Sequence, residues 1–405
     1  MSGIPCNTAP GTTPSSEAHP PSQLAGGLTA DVSDEAMAIS SAAEERISVA
    51  SNWQLVWWRF RKHKLALFSG VLLILFYIVV LVPDFFATLN PEATEARLAF
   101  IPPQRPVLVH EGRLGLWVPA VVGQRNPVTL RMEWRVDEGR MVPVKLLGRG
   151  YKYKVLGLLE TDIHLFAPVD QRPESRFFLL GTDRLGRDQW SRLMFGTRTS
   201  MTIGLISVIL SVILGVLLGG ISGYFGGIPD LVIQRLIEIL QSLPTIPIWL
   251  ALTAALPIGW RPEQVFLAIT VILSLIGWTT LGREVRGRFL ALREEDFVLA
   301  AELAGCSRWR IITRHMVPTF MSHIIATSTL AIPVMIVNET SLSFLGLGLR
   351  PPAISWGVQL QEAQNIQTVA QAPWLLLPCL VVVIAVLAFN LVGDGLRDAA
   401  DPYSR

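Results

Sequence analysis

The stretch "DFVLAAELAGCSRWRIITRHMVPT", residues 296–319, lies between two long apolar runs. It is too polar to cross a bilayer, and its small residues recur too regularly for an idle loop. Phe297, Ala300, Ala301 and Ala304 fall at i, i+3, i+4 and i+7, so they share one narrow helix face. Three of the four are alanines, which lets another helix or protein surface approach closely. Gly305 follows, placed to end the helix in the left-handed conformation. Ser307 is positioned to cap a second helix, whose apolar side is predicted at Trp309, Ile312 and Met316. Arg308, Arg310 and Arg314 are expected to stay in water or to meet lipid phosphates. Pro318 stands at the entry to the next apolar run, where proline is tolerated. The pattern predicts a rigid helix-turn-helix tied directly to two membrane helices. Physics alone leaves two uses open: a lever that transmits force, or a surface hairpin that only stabilises a bundle.

The rest of the chain has the matching composition. Of its 405 residues 51% are hydrophobic and 16% charged, and the mean hydropathy is +0.45, on the membrane side of the globular average. A formal charge of +2 gives no sign of nucleic-acid binding. Cys6, Cys306 and Cys379 form no CxxC pair, so neither a disulfide framework nor a zinc site is indicated. His110, His164, His315 and His323 are scattered, and no Ser/His/Asp or metal-like cluster stands out. No GxxxxGK[ST] phosphate loop occurs, so the chain does not hold nucleotide in that manner. No metal, cofactor or catalytic residue is expected.

About 20 helical residues cross about 30 Å of hydrocarbon. Six runs meet that length: 65–86, 201–224, 231–257, 264–282, Pro318 to Phe344 (interrupted by Pro333), and 373–393. Lys and Arg in short loops stay cytoplasmic. Arg59, Arg61, Lys62 and Lys64 precede the first run, and Arg283, Arg286, Arg288, Arg293, Arg308, Arg310 and Arg314 separate the fourth from the fifth. Six spans with both termini cytoplasmic fit this asymmetry, and the opening stretch then faces the cytoplasm. Arg184, Arg187, Arg192 and Arg198 run against it, in a loop longer than the roughly 60 residues over which the rule holds.

Four parts follow: 1–52, a cytoplasmic tail too poor in apolar residues to fold and lacking the marks of a signal peptide; 53–86, the first span with its basic lead-in; 87–198, a periplasmic insert; and 199–405, a five-helix core with the hairpin at 283–318. The insert is β-rich, with "RPVLVHEGRLGLWV", "VTLRMEWRVDEGRMVPVKLL" and "YKYKVLGLLETDIHLF" as strands and Glu138-Gly139 as a turn signal.

Within the runs, Gly215, Gly219 and Gly223 recur every four residues on one helix face, a spacing that allows close helix packing. Ionisable groups are few. Glu238 has Arg235 three residues before it, a local pair. Asn338 and Glu339 are candidates for the solute path or an outer gate, against a plain interfacial hydrogen bond. Asp394 marks an inner boundary.

The hairpin resembles the EAA loop of ABC-importer permeases, with Ala300, Ala301, Gly305 and Pro318 on the motif and Leu299 in place of its leading glutamate. "LGTDRLGRDQWSRLMFGTRTS" (180–200), "GYFGGIPDLVIQRLIEILQSLPTIP" (223–247), "ETSLSFLGLGLRPPAISWG" (339–357) and "NLVGDGLRDAADP" (390–402) are similar to the dipeptide, oligopeptide and nickel permeases, most of all to their C-type subunit. The resemblance implies an all-α polytopic membrane protein of six transmembrane helices, the type I ABC-importer permease fold, with the β-rich periplasmic insert as an addition. It implies a pore working by alternating access, with two cytoplasmic ABC ATPases gripping the hairpin, a homologous second permease, a periplasmic substrate-binding protein and surrounding membrane lipid. Di- or oligopeptides are the expected cargo, with oligosaccharides, opines or nickel complexes as alternatives. An ion-coupled secondary transporter would call for inverted repeats and midplane charges, and a membrane enzyme for a reactive cluster; neither is evident.

Overall fold

The computed structural model describes residues 52–110, 112–125, 127, 132–169, 176–257 and 259–400. The tail expected over 1–52 lies outside them, apart from Asn52. By contacts the chain divides into residues 1–55 and 56–405, and the packing below is that of the second.

Among the described residues the main helices are α1 (Asn52–Phe60), α2 (Lys64–Leu81), α3 (Gln189–Phe225), α4 (Gly227–Ser242), α5 (Thr245–Ala254), α6 (Pro262–Leu292), α7 (Asp296–Leu303), α8 (Met321–Phe344), α9 (Trp356–Glu362) and α10 (Leu377–Ala400). Within the same described residues, five segments are long and apolar enough to cross a membrane, six when the bent pair α4–α5 is taken as one span. The third apolar run is thus broken, with a 90° bend. Pro244 offers no N–H and drives Leu243 into an extended conformation, ψ 140°, which stops α4. Pro333, by contrast, sits inside α8 without ending it.

Two helices outrun the expected spans. α3 has 37 residues, about 55 Å of helix, and starts at Gln189, where the Asp188 carboxylate accepts the Ser191 N–H at 2.9 Å. The helix therefore begins inside the stretch assigned to the insert. α6 continues to Leu292, carrying Arg283, Arg286 and Arg288 beyond the apolar run.

α3 and α6 are parallel partners. A Cβ on Gly215 would lie 3.2 Å from Leu281, and one on Gly223 2.6 Å from the Phe289 Cβ and 2.7 Å from the Arg286 carbonyl oxygen; one on Gly219 would overlap the Gly282 carbonyl. Residue numbers rise together along this seam, so the chain must return across the bilayer between the two helices. The bent pair makes that return and counts as a span. Around the seam Met201, Ile203, Leu273, Ile336, Trp356 and Phe389 form the main core, with Trp356 fully buried.

The insert is a four-stranded antiparallel sheet in the order β1 (Val107–His110), β2 (Arg113–Arg125), β3 (Met132–Val155) and β4 (Leu159–Pro168). Val118 pairs with Val142 and Gly148 with His164. The turn read at Glu138-Gly139 is instead a bulge within β3: Pro119 faces Met141 and Ala120 faces Asp137, leaving 138–140 unpaired. The Gly139 N–H bonds the Asp137 carboxylate at 3.0 Å, a local contact that satisfies the bulge. Val118, Val144 and Phe177 form the insert's small core.

Candidate functional site

The helix ending at Leu303 closes in a Schellman arrangement. Gly305 takes φ +75°, its N–H bonds the Glu302 carbonyl at 2.9 Å, and the Cys306 N–H bonds the Ala301 carbonyl at 3.1 Å. Ser307 stands at the start of the next turn, Arg308–Arg310, without a side-chain cap bond. Residues Ile311–Met316 then widen into a π-turn, and Val317–Phe320 tighten to 3-10 geometry. Pro318 supplies no donor to the carbonyl four residues back and its ring needs room there; a widened turn meets both demands.

The structure splits the predicted four-residue face. Val298 and Ala301 point inward, into a cluster with Tyr224, Val285, Phe289, Ile311 and Met316. Phe297, Ala300 and Ala304 face solvent with Leu299 and Leu303, the last 90% exposed. The alanine stripe is therefore two surfaces: one holds the hairpin to the bundle, and the other is free of the described residues. Trp309 is also exposed, while Ile311 and Ile312 are buried, because the π-turn shifts the helical register by one position.

The inward surface is fastened to the end of α3. The Tyr224 hydroxyl donates to Glu302 Oε1 at 2.8 Å, and the Arg308 guanidinium lies 5.7 Å from the Phe225 ring centroid. Beside them Arg286 forks onto Asp230 at 2.5 and 2.7 Å, and Ser222 donates to the same carboxylate at 2.5 Å. These contacts gather α3, α4, α6 and α7 at one end of the bundle.

At its opposite end α3 enters a buried ion network. Arg187 bonds Asp183 and Glu362, each at 2.6 Å, and Arg192, 2% exposed, reaches Glu362 at 3.1 Å. The Gln359 side chain donates to the Arg192 carbonyl at 2.9 Å, so α9 is riveted to the head of α3. This accounts for the arginines that disagreed with the charge asymmetry. Arg187 and Arg192 are neutralised inside the protein and exert no free charge at the membrane surface; Arg184 and Arg198 are the remaining pair. At the head of α3, burial pushes the Asp188 carboxyl above its usual range, opposed by bonds from Ser191 and Thr88.

Glu339, a candidate for the solute path or an outer gate, packs between helices in this structure. It is fully buried, accepts from Ser343 at 2.9 Å, and is surrounded by the hydroxyls of Ser200, Ser355 and Thr340, which tie α8 to α3 and to the segment before α9. Asn338 beside it is half-buried. Glu238 pairs locally with Arg235 at 2.7 Å on an exposed face, and Asp394 is exposed. The sequence reading passed over Tyr224, Glu302, Asp230 and the Asp183–Arg187–Arg192–Glu362 network. The balanced charges of "DRLGRDQWSR" carried a signal for the last of these, since so many ionic groups beside a span call for partners.

Comparison with known proteins agrees with this architecture. Residues 215–405 match the family described as "Binding-protein-dependent transport system inner membrane component", and residues 51–103 match the "N-terminal TM domain of oligopeptide transport permease C". The oligopeptide transport system permease protein OppC of Bacillus subtilis is 36% identical over 256 residues, 63% of this chain and 78% of the relative. OppC of Escherichia coli K12 is 39% identical over 247 residues, 61% and 78%. The glutathione transport system permease protein GsiD of Pectobacterium atrosepticum is 36% identical over 234 residues, 58% and 75%. With its spans, parallel α3–α6 seam and glycine-capped hairpin, the chain belongs to the inner-membrane permeases of binding-protein-dependent ABC importers, as a subunit of the oligopeptide permease C type.

Proposed function

We propose that this permease subunit imports di- or oligopeptides by alternating access, driven by two ATPase subunits on the hairpin side. The reading rests on one arrangement: a rigid hairpin whose outward face, Phe297, Ala300 and Ala304 with Leu299 and Leu303, is exposed, while its inward face is bonded to the end of α3. A grip on the outward face moves α3 as a rod, and the far end of that rod is the buried network at Arg192 and Glu362. ATP must favour one state over the other for this motion to import anything. A homologous second permease completes the pore, and a periplasmic binding protein delivers the solute on the insert side. Both termini then lie in the cytoplasm. Peptides are the cargo in the names of the OppC relatives, and their shared C-type pattern supports the same class here.

The test is reconstitution of the four-component transporter with its binding protein in proteoliposomes. Labelled oligopeptide should accumulate only with ATP. Uptake that survives ATP depletion and collapses with an uncoupler would contradict the reading and favour an ion-coupled carrier.

A further inference from the structure

The β3–β4 hairpin ends in Val155, Leu156, Gly157, Leu158 and Leu159. Leu156, Leu158 and Leu159 are 64%, 84% and 73% exposed, an unusual concentration of aliphatic surface for a turn that meets only water. Leu156 even holds φ +50°, a conformation that leucine disfavours.

The base of this hairpin is fixed near the end of the first span. His164 on β4 is fully buried, with Nδ1 2.8 Å from the Asp84 carbonyl oxygen and Nε2 2.9 Å from that of Tyr151. The Tyr151 hydroxyl donates to the Asp84 carboxylate at 3.2 Å. Asp84 lies just past Leu81, where α2 ends.

From that base the tip runs back toward the bilayer. Thr88 donates to Asp188 at the head of α3, at 2.8 Å; Arg198 lies ten residues further along α3, about 15 Å deeper by helical rise. A small hollow is lined jointly by Leu81, Val82, Arg198, Lys154, Leu156 and Gly157. The tip therefore sits beside Arg198 and the last residues of α2, not beside Asp188. That is the level at which the apolar run of α3 begins. The exposed stripe of α2, through Ile74, Ile78 and Leu81, leads straight to it, so span and tip present one continuous apolar surface.

We propose that the β3–β4 tip is a membrane anchor. Leu156, Leu158 and Leu159 enter the boundary between headgroups and acyl chains in the leaflet on the insert side, the depth of roughly 5–10 Å typical of interfacial segments. Exposed Lys152 and Arg198 meet lipid phosphates, while Lys154 is paired with Glu160 at 3.6 Å across the hairpin. The insert is thereby held at two points, the Asp84 joint and the lipid, and its tilt over the bundle is fixed. This inference needs only the spans; it stands or falls apart from the cargo and the ATP coupling.

The experiment uses the full chain in its assembled transporter, in nanodiscs of phosphatidylethanolamine and phosphatidylglycerol. Cys6, Cys306 and Cys379 are replaced by serine, and Leu158→Cys carries a polarity-sensitive fluorophore. Val122→Cys, 47% exposed on β2 toward the opposite end of the sheet, is the reference. The Leu158 label should emit to the blue of the reference, be quenched by a lipid with a nitroxide near the top of its acyl chain, and be shielded from iodide. A label open to iodide and untouched by the nitroxide lipid overturns the anchor. A blue-shifted label that neither quencher reaches overturns it too, because a protein partner then covers the tip.

Discussion

At Gly305 the backbone has φ +75° and nothing stands within 4 Å of where a Cβ would be. A Gly305→Val substitution therefore meets no clash, only the conformational penalty of the left-handed region, about 1–2 kcal/mol. The chain should reach the membrane in normal amounts while peptide uptake falls and ATP hydrolysis continues; Gly305→Asn, which tolerates that region, should be close to normal. Wild-type uptake by the valine variant would contradict the lever. Tyr224 tests the other side of the same joint. Tyr224→Phe removes a hydrogen bond to an exposed carboxylate, worth about 1 kcal/mol, and peptide taken up per ATP should drop. Glu302→Gln keeps an acceptor and should behave normally. Tyr224→Phe with Glu302→Ala should do no more harm than either alone, the sign of a shared interaction. Multiplied losses would show that the two residues act separately. The alanines and the glycine were legible because their logic is local, a face and a cap. Glu302 was not, because its partner lies 78 residues away and no single stretch carries that pairing.

For the elements, hydropathy gave existence and missed direction. The α4–α5 segment reads as one apolar run, and the 90° bend at its centre comes from Pro244 in a place where length alone predicts a straight span. α3 and α6 continue past the hydrocarbon because ionic partners, Glu362 for Arg192 and Asp230 for Arg286, hold their polar turns. A hydrophobicity window cannot register such partners. The seam between these two helices makes a graded prediction. Gly215→Ala puts its Cβ at 3.2 Å from the Leu281 side chain, which can yield; Gly219→Ala drives into backbone at Gly282. The second should lose about 1–3 kcal/mol to overpacking and melt well below the first in a thermal assay of the purified transporter; equal melting would remove the seam from the account. At the far end, Glu362→Ala leaves Arg192 without its nearest counter-charge, a loss of about 3–5 kcal/mol for breaking a buried pair, and should deplete the folded protein from the membrane.

For the whole molecule the decisive relation is that α3 and α6 run parallel, with Gly215 against Leu281 and Gly223 against Phe289. Both descend from the insert side to the hairpin side. If the bent pair between them merely dipped in and out of one leaflet, the chain would enter α6 from the hairpin side and the two helices would be antiparallel. The seam forbids that, so insert and hairpin must lie on opposite faces of the membrane, and loop arginines predict the hairpin on the cytoplasmic one. In a cysteine-free chain expressed without its ATPase partners, Leu303→Cys, at a residue 90% exposed on the hairpin, should react with an impermeant maleimide in inverted vesicles and resist it in intact spheroplasts. Val122→Cys on the insert should do the reverse. Reaction of both from the same side would leave five crossings and break the parallel packing. Were that shared side the outer one, the hairpin would face away from ATP, and no cytoplasmic engine could pull on α3 through Glu302.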